Sequence, residues 1–271
     1  MKQLFRLWLA ILGIDVDVEE MSFTLPEDSK RRLIEELEEW CQKGIRKKVK
    51  EWQRLARWLN WALNIYPLLR LVLNNVYGKI RGKSQDARVW ANNTIREDLE
   101  WARTRVDQSD GVRLLSSLSW ELAEATCVAK TDACPRGIAF WYPQTGSGFT
   151  TPTPHETLSS QIVFYEALTI LSALDHAHQQ HPPKSKVVIF TDNFATVAMF
   201  SSLRALPEFN CILKRAADIL LKSQIDLRVL HIAGDRNDVA DALSRGEFVQ
   251  ALKLQPGLTI RAFKPYCRVN R

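Results

Sequence analysis

The chain has 271 residues, of which 46% are hydrophobic and 25% are charged, and it carries a formal net charge of +6. This length is enough for one or two domains, and the composition describes a soluble globular protein. No uninterrupted apolar stretch is long enough to span a bilayer, which excludes a transmembrane protein and predicts no membrane partner. The positive charge favours a polyanionic partner.

The cysteine pattern and the amino terminus both predict a location inside the cell. The five cysteines form no Cys-x-x-Cys pair, which indicates buried thiols in a reducing compartment rather than a zinc site or a disulfide framework. They are Cys41, Cys127, Cys134, Cys211 and Cys267. Residues 4–14 mimic a signal peptide, but Arg6 interrupts the apolar run and acidic residues follow it in place of a cleavage site. We therefore predict an intracellular protein, either cytoplasmic or nuclear.

The first half of the chain is predicted to be mostly helical after a short β-rich start. Residues 11–25 alternate loosely and predict two short strands around an acidic turn. Pro26 then begins a helix, because its φ is fixed and the acids Glu27 and Asp28 suit the positive end of the helix dipole. Further helices are predicted up to Pro67, over residues 67–80 and over residues 85–106.

A basic segment lies within this helical half. Its cations are predicted to contact phosphates from a helix face, and the four best candidates are Lys47, Lys48, Lys50 and Arg54. The alternative for these cations is an ordinary solvated helix face. The neighbouring Trp52, Trp58 and Trp61 are predicted to belong to a helical core.

The second half predicts an α/β domain. Strands are expected at residues 125–132, 137–142, 149–150, 186–192 and 226–231. Helices are expected at residues 155–178, 195–203, 208–222 and 237–244. This order predicts a mixed five-stranded sheet flanked by helices. From the change in pattern near Trp120, we predict segments of residues 1–25, 26–120, 121–246 and 247–271.

Acidic residues occur where they would converge in such a domain. Asp132 and Asp192 each follow a threonine at the end of a predicted strand, and Glu166 lies on a predicted helix. Carboxylates packed together repel one another, so a bound divalent cation is the usual compensation. For each acid alone there is an ordinary alternative, because strand-end aspartates cap turns and Glu166 suits a solvated helix face.

In this order and with these neighbours, the second half resembles a ribonuclease H. The two Thr-Asp steps match the family's strand aspartates, and Glu166 matches its helix glutamate. Residues 237–245 match the string Asn-x-x-Ala-Asp-x-Leu-Ser-Arg, which is typical of ribonuclease H domains attached to retrotransposon reverse transcriptases. That string makes Asp241 the fourth acid, rather than Asp235 or Asp238. The resemblance implies the ribonuclease H-like arrangement of a mixed five-stranded sheet and flanking helices for residues 121–246.

The first half also carries a resemblance to retroelement reverse transcriptases. Residues 12–17 look like the strand pair that follows the polymerase active site, which makes residues 1–25 a remnant of the palm and primer grip. Residues 58–70 are similar to the thumb and connection of fungal DIRS-like or gypsy-like elements, so residues 26–120 are expected to be that region. Residues 247–271 are expected to be a tail. The sequence contains no Asp-Asp pair, so no polymerase activity is expected from this chain alone.

The resemblance implies hydrolysis of the RNA strand of RNA–DNA hybrids by two Mg²⁺ ions, with Mn²⁺ as a substitute. It assigns both catalysis and metal binding to four carboxylates: Asp132, Glu166, Asp192 and Asp241. It also makes the upstream polymerase portion of a reverse transcriptase a candidate partner. The alternative is a catalytically silent or domesticated nucleic-acid-binding relic, and a third option is a structural subunit for a separate polymerase chain.

Histidines add two further hypotheses. Many ribonucleases H carry a histidine ahead of the Asn-to-Asp string, where it assists proton transfer or product release, so the resemblance makes His231 a candidate helper. His176, His178 and His181 lie together near the end of a predicted helix. Metal ligation by these three is one interpretation, but cations are favourable at a helix carboxyl terminus in any case. We favour the second interpretation.

Overall fold

The structure, a computed structural model, describes residues 8–11, 13–19, 21–109, 112–114, 120–153 and 162–266. The chain divides into two compact units, Met1–Trp120 and Glu121–Arg271. Within the described ranges, no helix combines the length and the apolar character that crossing a membrane would require. Each unit has a sheet and a set of helices of its own.

The first unit combines short strands with four described helices. Its strands are β1 (Trp8–Ile11), β2 (Ile14–Asp17), β3 (Ser22–Thr24), β4 (Arg46–Lys48), β5 (Arg88–Trp90) and β6 (Val112–Leu114). Its helices are α1 (Glu27–Cys41), α2 (Val49–Ala62), α3 (Val72–Ile80) and α4 (Asn93–Gln108). The sheet order is β1-β2-β3-β6, and β4 pairs with β5 in a separate two-stranded ribbon. The two strands predicted for residues 11–25 are therefore present as β2 and β3, although Leu12 and Glu20 lie outside the described residues.

Tryptophans form part of the core of this unit, as the sequence predicts. Trp40 of α1 and Trp52 of α2 are fully buried, and their rings meet edge to face with centroids 4.5 Å apart. Trp58 and Trp61 are partly buried and pack against the same core. Edge-to-face contact is a favoured geometry for aromatic pairs, so these rings add to the stability that burial alone supplies.

The helix predicted for residues 85–106 is wrong in its first part. Residues 88–90 form β5, and α4 begins only at Asn93. Valine and tryptophan favour strands, and the side chain of Asn92 accepts a hydrogen bond from the backbone nitrogen of Ile95 at 3.0 Å, which caps the helix there. The basic segment is likewise not one helix, because β4 precedes α2.

The second unit contains a six-stranded sheet. Its elements in order are β7 (Cys127–Ala133), β8 (Gly137–Tyr142), β9 (Ser147–Pro152), α5 (Ile162–Gln180), β10 (Lys186–Thr191), α6 (Phe194–Ser202), α7 (Asn210–Ser223), β11 (Asp226–His231), α8 (Asp238–Ser244), α9 (Phe248–Leu254) and β12 (Thr259–Ala262). The strand order is β11-β10-β7-β8-β9-β12. Strand β8 runs antiparallel to both of its neighbours, β7 and β9, whereas β10 is parallel to both β7 and β11.

This mixed sheet with flanking helices confirms the predicted fold class, the ribonuclease H-like arrangement. A sixth strand is added, because β12 runs parallel to β9 within the segment that was expected to be a tail. The helix predicted to begin at residue 155 is described from Ile162, and residues 155–161 lie outside the described residues.

Helix α8 meets the sheet through a close backbone approach. A Cβ atom at Gly137 would lie 2.7 Å from the carbonyl oxygen of Ser244, so β8 and the end of α8 can approach this closely only where no side chain intervenes. Leu243 packs in a buried cluster with Ala251 and Leu258 from the segment that follows α8. The carboxyl end of α8 is therefore held beside β8.

Four cysteines can be compared with the prediction of buried thiols. Cys127 is buried, Cys41 and Cys134 are half-buried, and no disulfide joins any two of the four described cysteines. Cys211 is exposed, so the prediction is wrong at that position. Its place on the solvent-facing side of α7 explains the difference. Cys267 lies outside the described residues.

Candidate active site

Three carboxylates from three different elements converge at one edge of the six-stranded sheet. Asp132 belongs to β7, Glu166 to α5, and Asp192 follows directly after β10. One ligand oxygen from each lies within 4.8 Å of the others. Asp132 and Glu166 are only 5% and 4% exposed, whereas Asp192 is half-buried. Two acids of the cluster are thus buried, and the third is closer to solvent.

Strand register explains why the two aspartates meet. Strands β7 and β10 are parallel, and Lys130 pairs with Phe190. Two residues further along each strand come Asp132 and Asp192, so both emerge at the same edge. The hydroxyl of Thr131 donates to the carbonyl oxygen of Phe190 at 3.0 Å, which ties the two strand ends together.

Each buried carboxylate has some hydrogen-bond donors. The backbone nitrogen of Ala133 donates to Oε1 of Glu166 at 3.3 Å, and the hydroxyl of Thr191 lies 3.4 Å from Oε2. The hydroxyl of Ser244 donates to Oδ2 of Asp132 at 2.5 Å. Two long contacts to Glu166 and one short contact to Asp132 do not replace the hydration that a buried carboxylate loses.

The pKa values of the two buried acids reflect this deficit. Burial, joined by the charges of Asp132 and Asp192, raises the pKa of Glu166 to about 9. Burial likewise raises the pKa of Asp132 to about 6, against the opposing effect of the Ser244 hydrogen bond. Both acids would ionise more readily beside a cation, and carboxylate oxygens are the ligands that Mg²⁺ and Mn²⁺ prefer. The donor set therefore fits a divalent metal.

Asp241, the fourth predicted acid, lies next to this cluster without joining it. Its carboxylate accepts from Nε of Arg245 at 2.7 Å and is not among the three whose ligand atoms meet. Its charge still raises the pKa of Asp132, and its backbone carbonyl oxygen lies 2.9 Å from the hydroxyl oxygen of Ser244. The structure thus brings three of the four predicted acids together. The fourth, Asp241, lies beside them, and its backbone carbonyl is next to the Ser244 hydroxyl that donates to Asp132.

His231, the candidate helper, ends β11 beside β10. Its register partner is Thr191, the residue that precedes Asp192. The imidazole is exposed and stacks on the ring of Phe194, with centroids 3.7 Å apart and planes 9° apart. Phe194 itself is 69% exposed and begins α6 two residues after Asp192. A stacked aromatic pair therefore lies beside the acid cluster.

Within the other histidine group, His176 packs among aromatic side chains. Nδ1 of His176 lies 3.0 Å from the hydroxyl of Tyr142, and its ring packs against Phe140 and Phe149. Burial lowers the pKa of His176. In the described part of the chain, no cluster of potential metal ligands includes His178 or His181.

The predicted phosphate-binding cations lie in the first unit, and three of them have carboxylate partners. Nζ of Lys47 lies 2.6 Å from Glu39 and above the ring of Trp40. Lys48 and Lys50 share Asp86, with Nζ to Oδ1 distances of 3.2 Å and 3.7 Å. Arg54 is exposed on α2.

Sequence reasoning missed several residues that shape the site. Nδ2 of Asn237 donates to the carbonyl oxygen of Thr131 at 2.9 Å, which fixes the start of α8 against β7. Asn237 and Ser244 both belong to the string that identified Asp241, so that string did contain the signal for them. The Phe194 stack had no such signal, because an exposed phenylalanine at a helix start does not by itself predict a partner.

Comparisons with known proteins give weak likenesses only. No protein-family model matches the chain, and no curated protein is significantly similar to it in sequence. Ribonuclease H1 of the halophilic archaeon Halobacterium salinarum NRC-1 is 16% identical, with 47% of this chain and 97% of that chain covered and a TM-score of 0.36. The native prototype foamy virus protease-reverse transcriptase is 13% identical, with 64% and 29% covered and a TM-score of 0.35.

A foamy viral protease-reverse transcriptase in complex with dsDNA is 15% identical, with 70% of this chain and 42% of that chain covered and a TM-score of 0.23. This chain thus spans less than half the length of either foamy virus protein.

Proposed function

We propose that the protein is a metal-dependent endonuclease that hydrolyses the RNA strand of RNA–DNA hybrids. The observation that carries the proposal is the convergence of Asp132, Glu166 and Asp192, whose ligand oxygens lie within 4.8 Å of one another at a sheet edge. Two of these acids are buried with raised pKa values, which is costly unless a cation offsets it. Perturbed acids clustered in this way are a mark of functional sites.

The residues divide into ligands and supports. We assign metal binding and catalysis to Asp132, Glu166, Asp192 and Asp241, with two Mg²⁺ ions as the natural cofactor and Mn²⁺ as a substitute. Bound metal supplies activation of the attacking water and stabilisation of the leaving oxygen. Ser244 orients Asp132 by its hydrogen bond, and Asn237 holds α8 in place.

His231 is assigned as a helper in proton transfer or product release. Its imidazole is exposed at the end of β11, next to the strand that leads into Asp192, so it can reach a bound substrate without crossing the protein interior. The stack with Phe194 restricts the ring to one orientation. Selection of RNA as the cut strand would come from contacts to its 2′-hydroxyl groups.

The wider assignment is the carboxyl-terminal part of a retroelement reverse transcriptase of the DIRS-like or gypsy-like kind. Residues 1–25 would be the palm and primer-grip remnant, 26–120 the thumb and connection, 121–246 the ribonuclease H domain and 247–271 a carboxyl-terminal extension. The upstream polymerase portion would be a partner, and the location would be the cytoplasm or nucleus. The net charge of +6 supports a nucleic-acid substrate.

One observation favours the alternative of a silent nucleic-acid-binding relic. The carboxylate of Asp241 is paired with Arg245, with its acceptor oxygen 2.7 Å from Nε, rather than turned into the cluster. A protein that had lost turnover would tolerate such an arrangement. The ion pair between Asp241 and Arg245 is exposed and therefore weak, so a metal ion can compete for Asp241. We therefore retain the proposal of an active enzyme.

A substrate panel tests the proposed function. The full chain is incubated with Mg²⁺ and four labelled substrates: an RNA–DNA hybrid, a double-stranded DNA, a double-stranded RNA and a single-stranded RNA. We expect cleavage of the RNA strand in the hybrid alone, and none after chelation of the metal. Binding of the hybrid without cleavage in Mg²⁺ or Mn²⁺ would favour the relic, and cleavage that survives chelation would exclude this site.

A further inference from the structure

The ribbon of β4 and β5 in the first unit has two chemically different faces. Its antiparallel register pairs Arg46 with Trp90, Lys47 with Val89, and Lys48 with Arg88. Side chains of directly opposed residues lie on the same side of a sheet, and successive residues alternate between sides. Arg46, Lys48, Arg88 and Trp90 therefore share one face, which we call the ribbon face.

Burial shows which side of the ribbon meets solvent. Val89, on the other side, is 5% exposed, and its carbonyl oxygen accepts from Nε1 of the buried Trp52 at 3.4 Å. Lys47, beside Val89, reaches back to Glu39. On the ribbon face, Arg46 and Arg88 are exposed and Trp90 is 53% exposed. The ribbon thus packs against the core through one side and presents three cations and a tryptophan outward.

The exposure of Trp90 is the unusual feature of this face. Tryptophan buries a large apolar area in most folded proteins, and exposed tryptophans are typical of surfaces that bind a partner. The guanidinium carbon of Arg46 lies 5.4 Å from the centre of the Trp90 ring, which orients the ring without burying it. About half of the side chain therefore stays available for contact.

The charge around Trp90 is predominantly positive. Lys50, at the start of α2, adjoins the three cations of the ribbon face, and Lys48 and Lys50 share the single carboxylate of Asp86. In the part of the chain that the structure describes, no other carboxylate forms a salt bridge with these four cations. Asp86 is highly exposed, so its pairs are screened by solvent and exchange readily with an external anion.

The cationic surface continues along α2. Lys50, Arg54 and Arg57 are all exposed and are spaced four and three residues apart, so they line one side of the helix. The row begins where β4 ends, because α2 follows β4 without a break. A strand whose phosphates contact the ribbon face can therefore continue along α2, where these cations would contact further phosphates.

We propose that the ribbon face binds an unpaired nucleic-acid strand, with phosphates on the cations and a base stacked on Trp90. An exposed aromatic ring among cations is the combination that binds single strands, because an unpaired base offers its ring face whereas a paired base is already stacked. The inference rests on the proposed function for its biological substrate and deepens it. The strand bound here would be an unpaired strand of RNA or DNA.

The test is binding by the full chain in a chelator, so that cleavage plays no part. The probes are a short fluorescein-labelled oligothymidine and a blunt RNA–DNA hybrid, followed by fluorescence anisotropy over a range of salt. Trp90→Ala is expected to weaken oligothymidine binding by roughly 5- to 160-fold, the range measured for loss of one base stack. Trp90→Phe should restore most of that affinity, and the blunt hybrid should be much less affected.

Two further variants separate stacking from charge and from general damage. Arg88→Ala should flatten the slope of log affinity against log salt by about 0.7, the value for one lost contact to a single strand. Because the Arg88 side chain is exposed, this variant carries the test even where Trp90→Ala unfolds. Tyr77→Ala, which removes another exposed aromatic ring of the first unit, should leave binding unchanged.

Several results would overturn the proposal. They are equal oligothymidine affinity in wild type and Trp90→Ala, an equal loss for the blunt hybrid, and an equal loss in Tyr77→Ala. A protein that binds oligothymidine through Trp90 but cleaves no hybrid would retain the ribbon face and refute the nuclease. A protein that cleaves the hybrid but binds oligothymidine equally well with and without Trp90 would retain the nuclease and refute the ribbon face.

Discussion

Asp132→Asn is expected to abolish cleavage of the RNA–DNA hybrid while leaving the fold intact. Asp132 shares the cluster with Glu166 and Asp192, and it accepts from the hydroxyl of Ser244. Loss of residues that merely support metal ligands costs 10- to 100-fold, so loss of a direct ligand should cost more than about a hundredfold. The measurement is the initial rate of hybrid cleavage at saturating Mg²⁺.

The same substitution should stabilise the metal-free protein. Burial raises the pKa of Asp132 to about 6, so its ionised form is unfavourable in the folded state near neutral pH. Asparagine keeps the shape and the acceptor for Ser244 but removes this charge. We expect a gain of roughly 1–3 kcal/mol in the free energy of unfolding in chelator at neutral pH.

Asp238→Asn is the matched control, because Asp238 is an exposed acid of α8 in the same sequence string. It should leave both the cleavage rate and the stability unchanged. Full hybrid cleavage by the Asp132→Asn protein would refute the assignment of the site, and an equal loss in both variants would show that any change near α8 is disruptive.

Metal-free stability is expected to fall as pH rises from about 5 to 9, and Glu166 is the main reason. The ordinary pKa of this acid is 4.5, and burial raises it to about 9 in the folded protein. Between these values the folded state holds a proton that the unfolded state has released. The contribution of Glu166 is therefore fully present below pH 4.5 and is lost as pH rises towards 9, by up to about 1.4 kcal/mol per pH unit.

Glu166→Gln isolates this effect, since glutamine has the same shape and no ionisable group. Urea unfolding in chelator should show wild type losing stability relative to Glu166→Gln as pH increases. Saturating Mg²⁺ should reverse the trend for wild type, because the metal binds the ionised carboxylates and not the protonated ones. Parallel pH profiles for the two proteins in chelator would contradict the raised pKa of Glu166.

The second unit was largely predictable because its signals are local. Strand β11 has the predicted bounds, and the Thr-Asp steps lie at the ends of parallel neighbours β7 and β10. In the first unit, strand β5 was predicted as helix. Three residues are too few for periodicity to distinguish a strand from a helix, and the pairing with β4 makes this segment a strand. Strand β12 was also missed, since its pairing with β9 depends on contacts distant in sequence.

The convergence of three acids was predictable, and the details of the candidate site were not. Asp132, Glu166 and Asp192 follow from strand ends and from one helix position. The orientation of Asp241 does not, because Arg245 competes for its carboxylate one helical turn away. The stack of Phe194 on His231 depends on how α6 leaves β10, a matter of packing that no short motif records.

Anomalous X-ray scattering from Mn²⁺ tests most directly whether Asp132, Glu166 and Asp192 form a metal centre. Crystals of the full chain would be soaked in Mn²⁺ near neutral pH, with crystals of the Asp192→Asn protein as the comparison. We expect anomalous peaks in contact with all three carboxylates in wild type and weaker or missing peaks in the variant. Mn²⁺ bound elsewhere in the protein, with none at these carboxylates, would contradict the assignment of a metal centre to them.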